Sequence, residues 1–193
     1  MRGIDPQTGE MWQRVARWSL KETTPRRRGI VSEQLNDHEF VEPNRDRDSS
    51  FLRMFRQLDA RHQYHYFLDL HQTEFENSHF NCTHLLPVDL DTRSATKQHE
   101  VREWAAQVRQ AWRELGQIAK PEGSARHFPY IADIDTTRWF RDTWGEIDNR
   151  IPRLTVEVQN NSIRTPPEAQ LALMEAAIWA SLERLLHEQA LHL

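Results

Sequence analysis

Phe67-Leu68-Asp69-Leu70-His71-Gln72-Thr73-Glu74 closes a short apolar run that begins at Tyr64 and then meets charge. A run of this length, rich in aromatics and ending abruptly, reads as a β-strand. Its near-continuous apolar stretch at 66–68 predicts a buried, central position in a sheet. The imidazole of His71 then falls at the carboxyl end of the strand, the edge at which α/β proteins place their ligands. Asp69 precedes His71 by two residues, so alternation sends both side chains to one face. Glu74 follows His71 by three, giving His-x-x-Glu spacing. Both could reach one metal ion if the chain turns helically there; otherwise Glu74 is a loop carboxylate. His71 itself has two readings: an ordinary histidine at a strand end, or a metal ligand oriented by the neighbouring carboxylate.

Working outward, Thr83 to Val88 and Leu154 to Val158 also read as strands. Residues 97–118 form an amphipathic helix, with Val101, Trp104, Ala105, Val108, Trp112 and Leu115 at three- and four-residue steps. Ser49 or Ser50 can cap a helix to about Arg61 that presents Phe51, Leu52, Phe55 and Leu58. Thr136 or Thr137 opens a short helix through Trp144. Pro166-Pro167-Glu168 starts a long final helix, with Leu171, Met174, Ile178, Leu182, Leu185 and Leu186 as its apolar residues. Residues 9–20 are at best a short amphipathic helix, and residues 30–48 read mostly as loop. Strands alternating with helices define an α/β fold, with helices on both faces of a mixed sheet. The strands are few for the length, which points to a sheet incomplete at its N-terminal side.

The chain has 193 residues and fits one domain spanning 1–193. Its mean hydropathy is low, −0.80, but seven Trp, eight Phe and three Tyr argue against disorder. The formal net charge of −4 does not mark a nucleic-acid binder. Arg26-Arg27-Arg28 is a solvated basic loop or a small phosphate patch. Cys82 is the only cysteine, so neither an intrachain disulfide nor a cysteine-rich zinc module can form. No apolar run reaches the roughly 18 residues of a membrane span, and residues 1–6 lack the apolar core of a secretory signal. The expectation is a cytoplasmic protein with no nucleic-acid or membrane partner. Open strand edges would favour a homo-oligomer.

Glu157 sits in Leu154-Thr155-Val156-Glu157-Val158, sharing a face with Thr155. That face is either exposed, at a sheet surface or edge, or it sets Glu157 in a partly dry cleft as a general base. Asn44-Arg45 offers an amide donor beside a planar guanidinium fork suited to a carboxylate. The acids Asp46 and Asp48 could equally pair with Arg45 on the surface.

Asn44-Arg45-Asp46, Leu68-Asp69-Leu70-His71 and Thr155-Val156-Glu157 occur in the order found in zinc carboxypeptidases, and roughly residues 28 to 185 resemble that family. The helix opened by Pro166-Pro167-Glu168-Ala169-Gln170 is similar to the family's terminal helix. The resemblance implies a zinc-dependent metallopeptidase that hydrolyses a C-terminal amide bond. In it, Asn44 and Arg45 hold the substrate's carboxylate, His71 ligates zinc, and Glu157 activates water. Arg28 would polarise the scissile carbonyl, with Arg26 and Arg27 as rivals. Tyr130, with His127 as a rival, would be the family's mobile tyrosine at the substrate. A related reading is a zinc deacylase of the aspartoacylase and succinylglutamate-desuccinylase kind, acting on an acylated amino acid. A third is a non-catalytic carboxylate-binding remnant.

The chain departs from the family in one respect. The His-x-x-Glu pair that supplies two zinc ligands is expected well upstream of Asn44. The 43 residues there hold only His38, spaced His-x-x-x-Glu from Glu42 and set almost against Asn44-Arg45. The chain therefore reads as the C-terminal part of such a domain, or as one with a substitute metal site of His71 and Glu74 with His79 or His38.

Overall fold

In the computed structural model the described residues are 15–21, 32–73, 79–120 and 134–191. They form a mixed α/β architecture of four α-helices and two small three-stranded sheets. The chain divides into two compact units, one of Met1–Tyr64 with Asp133–Ile147 and one of His65–Ala132 with Asp148–Leu193. No helix among the described residues is long and apolar enough to cross a membrane.

In the first unit, β1 (Arg17–Ser19), β2 (Glu33–Gln34) and β3 (Glu39–Val41) make an antiparallel sheet in the order β1-β3-β2. The described part of residues 30–48 is mostly loop, as expected, but it carries the two short strands β2 and β3, and residues 17–19 are strand rather than helix. The local cause is Asn36, whose side-chain oxygen accepts from the backbone N–H groups of His38 and Glu39 at 3.0 Å each. That Asx turn reverses the chain. Trp18 then faces Phe40 across the ladder, and the rings stack 5.8 Å apart. Helix α1 (Ser50–His62) starts as its sequence predicts: the Ser49 hydroxyl accepts from Leu52 N at 3.2 Å. It ends at Gln63, which takes the left-handed conformation at φ 52°. Leu52 and Phe55 are its buried residues.

In the second unit, β4 (Phe67–Thr73), β5 (Cys82–Leu85) and β6 (Arg153–Gln159) lie in the order β4-β6-β5. The β4–β6 pairing is parallel and the β5–β6 pairing antiparallel. The central strand is therefore β6, not β4. Among the described residues β4 is an edge strand, with Leu70 and Gln72 exposed. Its apolar start reflects two separate contacts rather than burial on both faces: Tyr66 and Leu68 pack on the core, while Phe67 belongs to the opposite face.

Helix α2 (Ala95–Glu114) is capped by Ser94, whose hydroxyl accepts from Lys97 N. It stops short of residue 118 because Gly116 adopts φ 70°, and Gln117 N donates back to Trp112 O at 3.1 Å. That pair of features closes the helix. Leu115, expected in the apolar stripe, lies beyond the end and is exposed. Helix α3 (Ile134–Arg150) is longer than its sequence predicts and runs into Ile151-Pro152, where β6 begins. Helix α4 (Pro167–Leu191) starts at the predicted prolines.

The core of this unit joins Trp104, Ala105, Val108 and Trp112 of α2 to Leu154, Val156 and Val158 of β6 and to Leu173, Ala177 and Ala180 of α4. Leu154, Val156 and Val158 alternate on one side of β6, so α2 and α4 both lie on that face. The buried face of α4 is only in part the one its large side chains predict. Met174 packs against the core, but Leu171, Ile178, Leu182 and Leu186 are exposed, and the buried positions are Leu173, Ala177, Ala180 and Ser181. The small residues let α4 approach the two tryptophans. Trp104 Nε1 donates to Ser181 Oγ, and Trp112 Nε1 to Leu173 O, both at 2.8 Å.

Candidate functional site

The other face of the β4-β6-β5 sheet, Phe67 and Leu85 apart, is polar. From β6 it receives Arg153, Thr155, Glu157 and Gln159, from β4 Asp69, His71 and Thr73, and from β5 Thr83. Most of these are withdrawn from solvent: Thr83 and Gln159 are each 1% exposed, and Arg153 and Thr155 each 5%. Polar groups removed from water require partners, and the face is correspondingly cross-linked.

His71 and Glu157 are register partners on β4 and β6, and Thr83 is the partner of Glu157 on β5. Beyond Thr83 the segment after α2 adds a further step. Ala119 bridges Cys82, and Lys120 N donates to Cys82 O at 2.9 Å. Ala119 packs on the core, so alternation places Lys120 on the polar side. An imidazole, a carboxylate, a hydroxyl and an ammonium thus follow one another across the sheet. Lys120 is buried, and desolvation lowers its proton affinity, while the charge of Glu157 acts in the opposite direction. Glu157 is half-buried on the central strand, which removes the sheet-edge alternative. His71 and Glu157 each stand two residues before the end of parallel strands, close to the carboxyl end of the pair.

His71 Nε2 lies 2.9 Å from Asp69 Oδ1, as their shared face predicts. Asp69 Oδ2 is 3.4 Å from Thr155 Oγ1, which accepts from Arg153 Nη1 at 3.0 Å. Arg153 in turn grips Asp148 through Nε at 2.6 Å and Nη2 at 3.0 Å. Thr83, Lys120, Asp148 and Arg153 carry no motif, whereas Thr155 is grouped with Glu157 by its sequence. Arg153 shares the strand parity of Thr155 and Glu157, the one signal in the sequence that could group it with the acid.

Asn44 and Arg45 belong to the first unit. Their backbone carbonyls are held by α3: Trp144 Nε1 donates to Asn44 O at 2.9 Å, and Thr143 Oγ1 to Arg45 O at 2.7 Å. The Arg45 side chain is buried, pairs with buried Glu42, and lies over the Phe140 ring. Asp46 and Asp48 pair instead with Arg17, whose proton affinity they raise, Asp46 most strongly. Arg45 is thus engaged by a buried carboxylate of its own unit rather than by surface acids.

Arg28, Glu74 and Tyr130, with the rivals Arg26, Arg27 and His127, lie outside the described residues. His38 is exposed in the β2–β3 turn, and His79 is exposed with its ring against Phe80. Among the described residues no three His, Cys, Asp or Glu side chains are grouped to hold a metal ion. A catalytic zinc takes three protein ligands, so the described residues do not by themselves make a zinc site. His71, backed by Asp69, has the form of one ligand.

The chain matches no protein-family model, no curated protein and no solved structure.

Proposed function

We propose that the polar face of the β4-β6-β5 sheet is the working face of a metallocarboxypeptidase-like hydrolase. Its substrate is a peptide or acylated amino acid carrying a free carboxylate, and the bond cleaved is an amide. One observation carries the reading: His71 and Glu157, far apart in the chain, are register partners on adjacent parallel strands, with their side chains on one half-buried face. This is the juxtaposition that the resemblance to zinc carboxypeptidases requires. Zinc belongs to the same reading, with His71 as the one ligand that the described residues offer.

Glu157 supplies the proton chemistry. Its carboxylate accepts a proton as water adds to the amide carbon, then returns it to the departing amine nitrogen as the C–N bond breaks. Lys120 sets a positive charge on the same side of the sheet, where it and the charge of Glu157 attract each other. Partial burial strengthens that attraction.

The test is Glu157→Gln, which keeps shape and removes the base. Hydrolysis of a panel of peptides and N-acyl amino acids should fall at least about a hundredfold, with fold and substrate binding retained. Unchanged turnover removes Glu157 from the mechanism. The same panel separates a carboxypeptidase, which prefers peptides, from a deacylase of the aspartoacylase kind.

A further inference from the structure

The polar face carries more than the row that contains His71 and Glu157. Asp148, in the last turn of α3, and Arg153, the first residue of β6, are separated by a short buried connection through Ile151 and Pro152. They form a two-point ion pair whose side chains are 2% and 6% exposed. Arg153 then uses a further N–H on Thr155 Oγ1. That bond occupies a lone pair of the hydroxyl, and the hydroxyl proton is directed to Asp69 Oδ2, the longest step of the series. The other oxygen of Asp69 faces His71 Nε2. At 2.9 Å this is the geometry of an imidazole N–H donating to a carboxylate oxygen, which places the ring hydrogen on Nε2.

We propose that Asp148, Arg153, Thr155 and Asp69 form a positioning chain that locks the His71 imidazole in its Nε2–H tautomer and turns the opposite ring edge away from Asp69. The proposal rests on the reading of His71 as a functional histidine and adds the residues that aim it. Each link has a physical reason. Asp148 neutralises Arg153, which makes a buried guanidinium tolerable. Arg153 polarises the Thr155 hydroxyl, which strengthens what it donates. Thr155 and Asp69 are register partners, so the strand pairing itself sets their approach. Asp69, held from one side by Thr155, cannot rotate away from the imidazole without abandoning that bond. None of the four residues needs to touch substrate; they are positioning residues.

Thr155→Val is the variant that tests this, because it keeps the β-branched shape on a central strand and removes only the hydroxyl. Thr155→Ser restores the hydroxyl. Imidazole ¹⁵N spectra of the metal-free chain report the His71 tautomer, with His71 signals identified by their loss in His71→Gln. The wild type should show a protonated Nε2 and an unprotonated Nδ1. Thr155→Val should show mixed tautomers, and turnover on the responsive substrate should drop about 10–100-fold. Thr155→Ser should recover both. An unchanged His71 spectrum in a folded Thr155→Val protein overturns the positioning chain. Should Glu157→Gln leave turnover intact while Thr155→Val still alters the His71 tautomer, the hydrolase reading fails and the positioning chain stands.

Discussion

Arg45 and Glu42 pair where both side chains are nearly dry, at 8% and 3% exposure. Forming such a pair gains little net free energy, but breaking it strands a buried charge. Glu42→Gln should therefore cost about 3–5 kcal/mol in chemical denaturation, far beyond the value of an exposed ion pair. A loss below about 1 kcal/mol would show the pair to be solvated. Cys82 offers a second measurement at this scale. It is fully buried, and burial pushes its thiol well above the ordinary value of 9.0. Above pH 9.0 the unfolded chain sheds a proton that the folded chain keeps, so stability falls by about 1.4 kcal/mol per pH unit. Lys120, with its lowered proton affinity, works the other way as pH approaches 10.5. Comparing wild type with Cys82→Ala cancels the lysine, and the alkaline decline should be shallower in the variant. Parallel profiles would refute the assignment. Among residues, His71 was legible from its place at a strand end, Glu157 as an acid within a β-branched run, and Asp69 from its parity with His71. The sequence could not name Lys120 or Asp148, because their places depend on a neighbouring segment and a helix end rather than on a period.

Helix α4 shows how an element can carry the right period and the wrong face. Its Leu and Ile residues recur at helical steps, yet the contact with α2 and β6 is made by Leu173, Ala177, Ala180 and Ser181. Two buried tryptophans demand small neighbours, and close packing rewards the fit more than it rewards side-chain size. Leu173→Ala should cost about 2–5 kcal/mol, while Leu171→Ala, at a residue 60% exposed, should stay within about 0.5 kcal/mol. Equal costs would mean that Leu171 is buried in solution. Helix α2 was legible in its body, because its stripe of large residues from Val101 to Trp112 is buried as its period predicts, but not in its bounds, which Ser94 and Gly116 set. Strand β4 was legible as a strand but not as an edge. Strand rank depends on which partners flank it, and no local pattern encodes that. The β1-β3-β2 sheet escaped the reading because strands of two or three residues are too short to show a period.

At the scale of the whole molecule, the proposed zinc is open to a mass-action test. A metal that binds only the folded chain stabilises it by about 2.7 kcal/mol at a hundredfold excess over its Kd. Denaturation with and without zinc should show this gain in the wild type and lose it in His71→Gln. No gain in the wild type would withdraw zinc from the proposed function.

Local sequence was enough for the mixed α/β class, the starts of α1 and α4, the buried stripe of α2, and the shared parity of Asp69 with His71 and of Thr155 with Glu157. These follow from local rules of capping, period and alternation, each acting over a few residues. Only the tertiary structure decided that β6 is central, that β4 and β6 are parallel in the register that sets His71 beside Glu157, and that Arg45 answers to Glu42. Those outcomes come from long-range pairing and from competition among charges for partners, and neither is settled by any one stretch of chain.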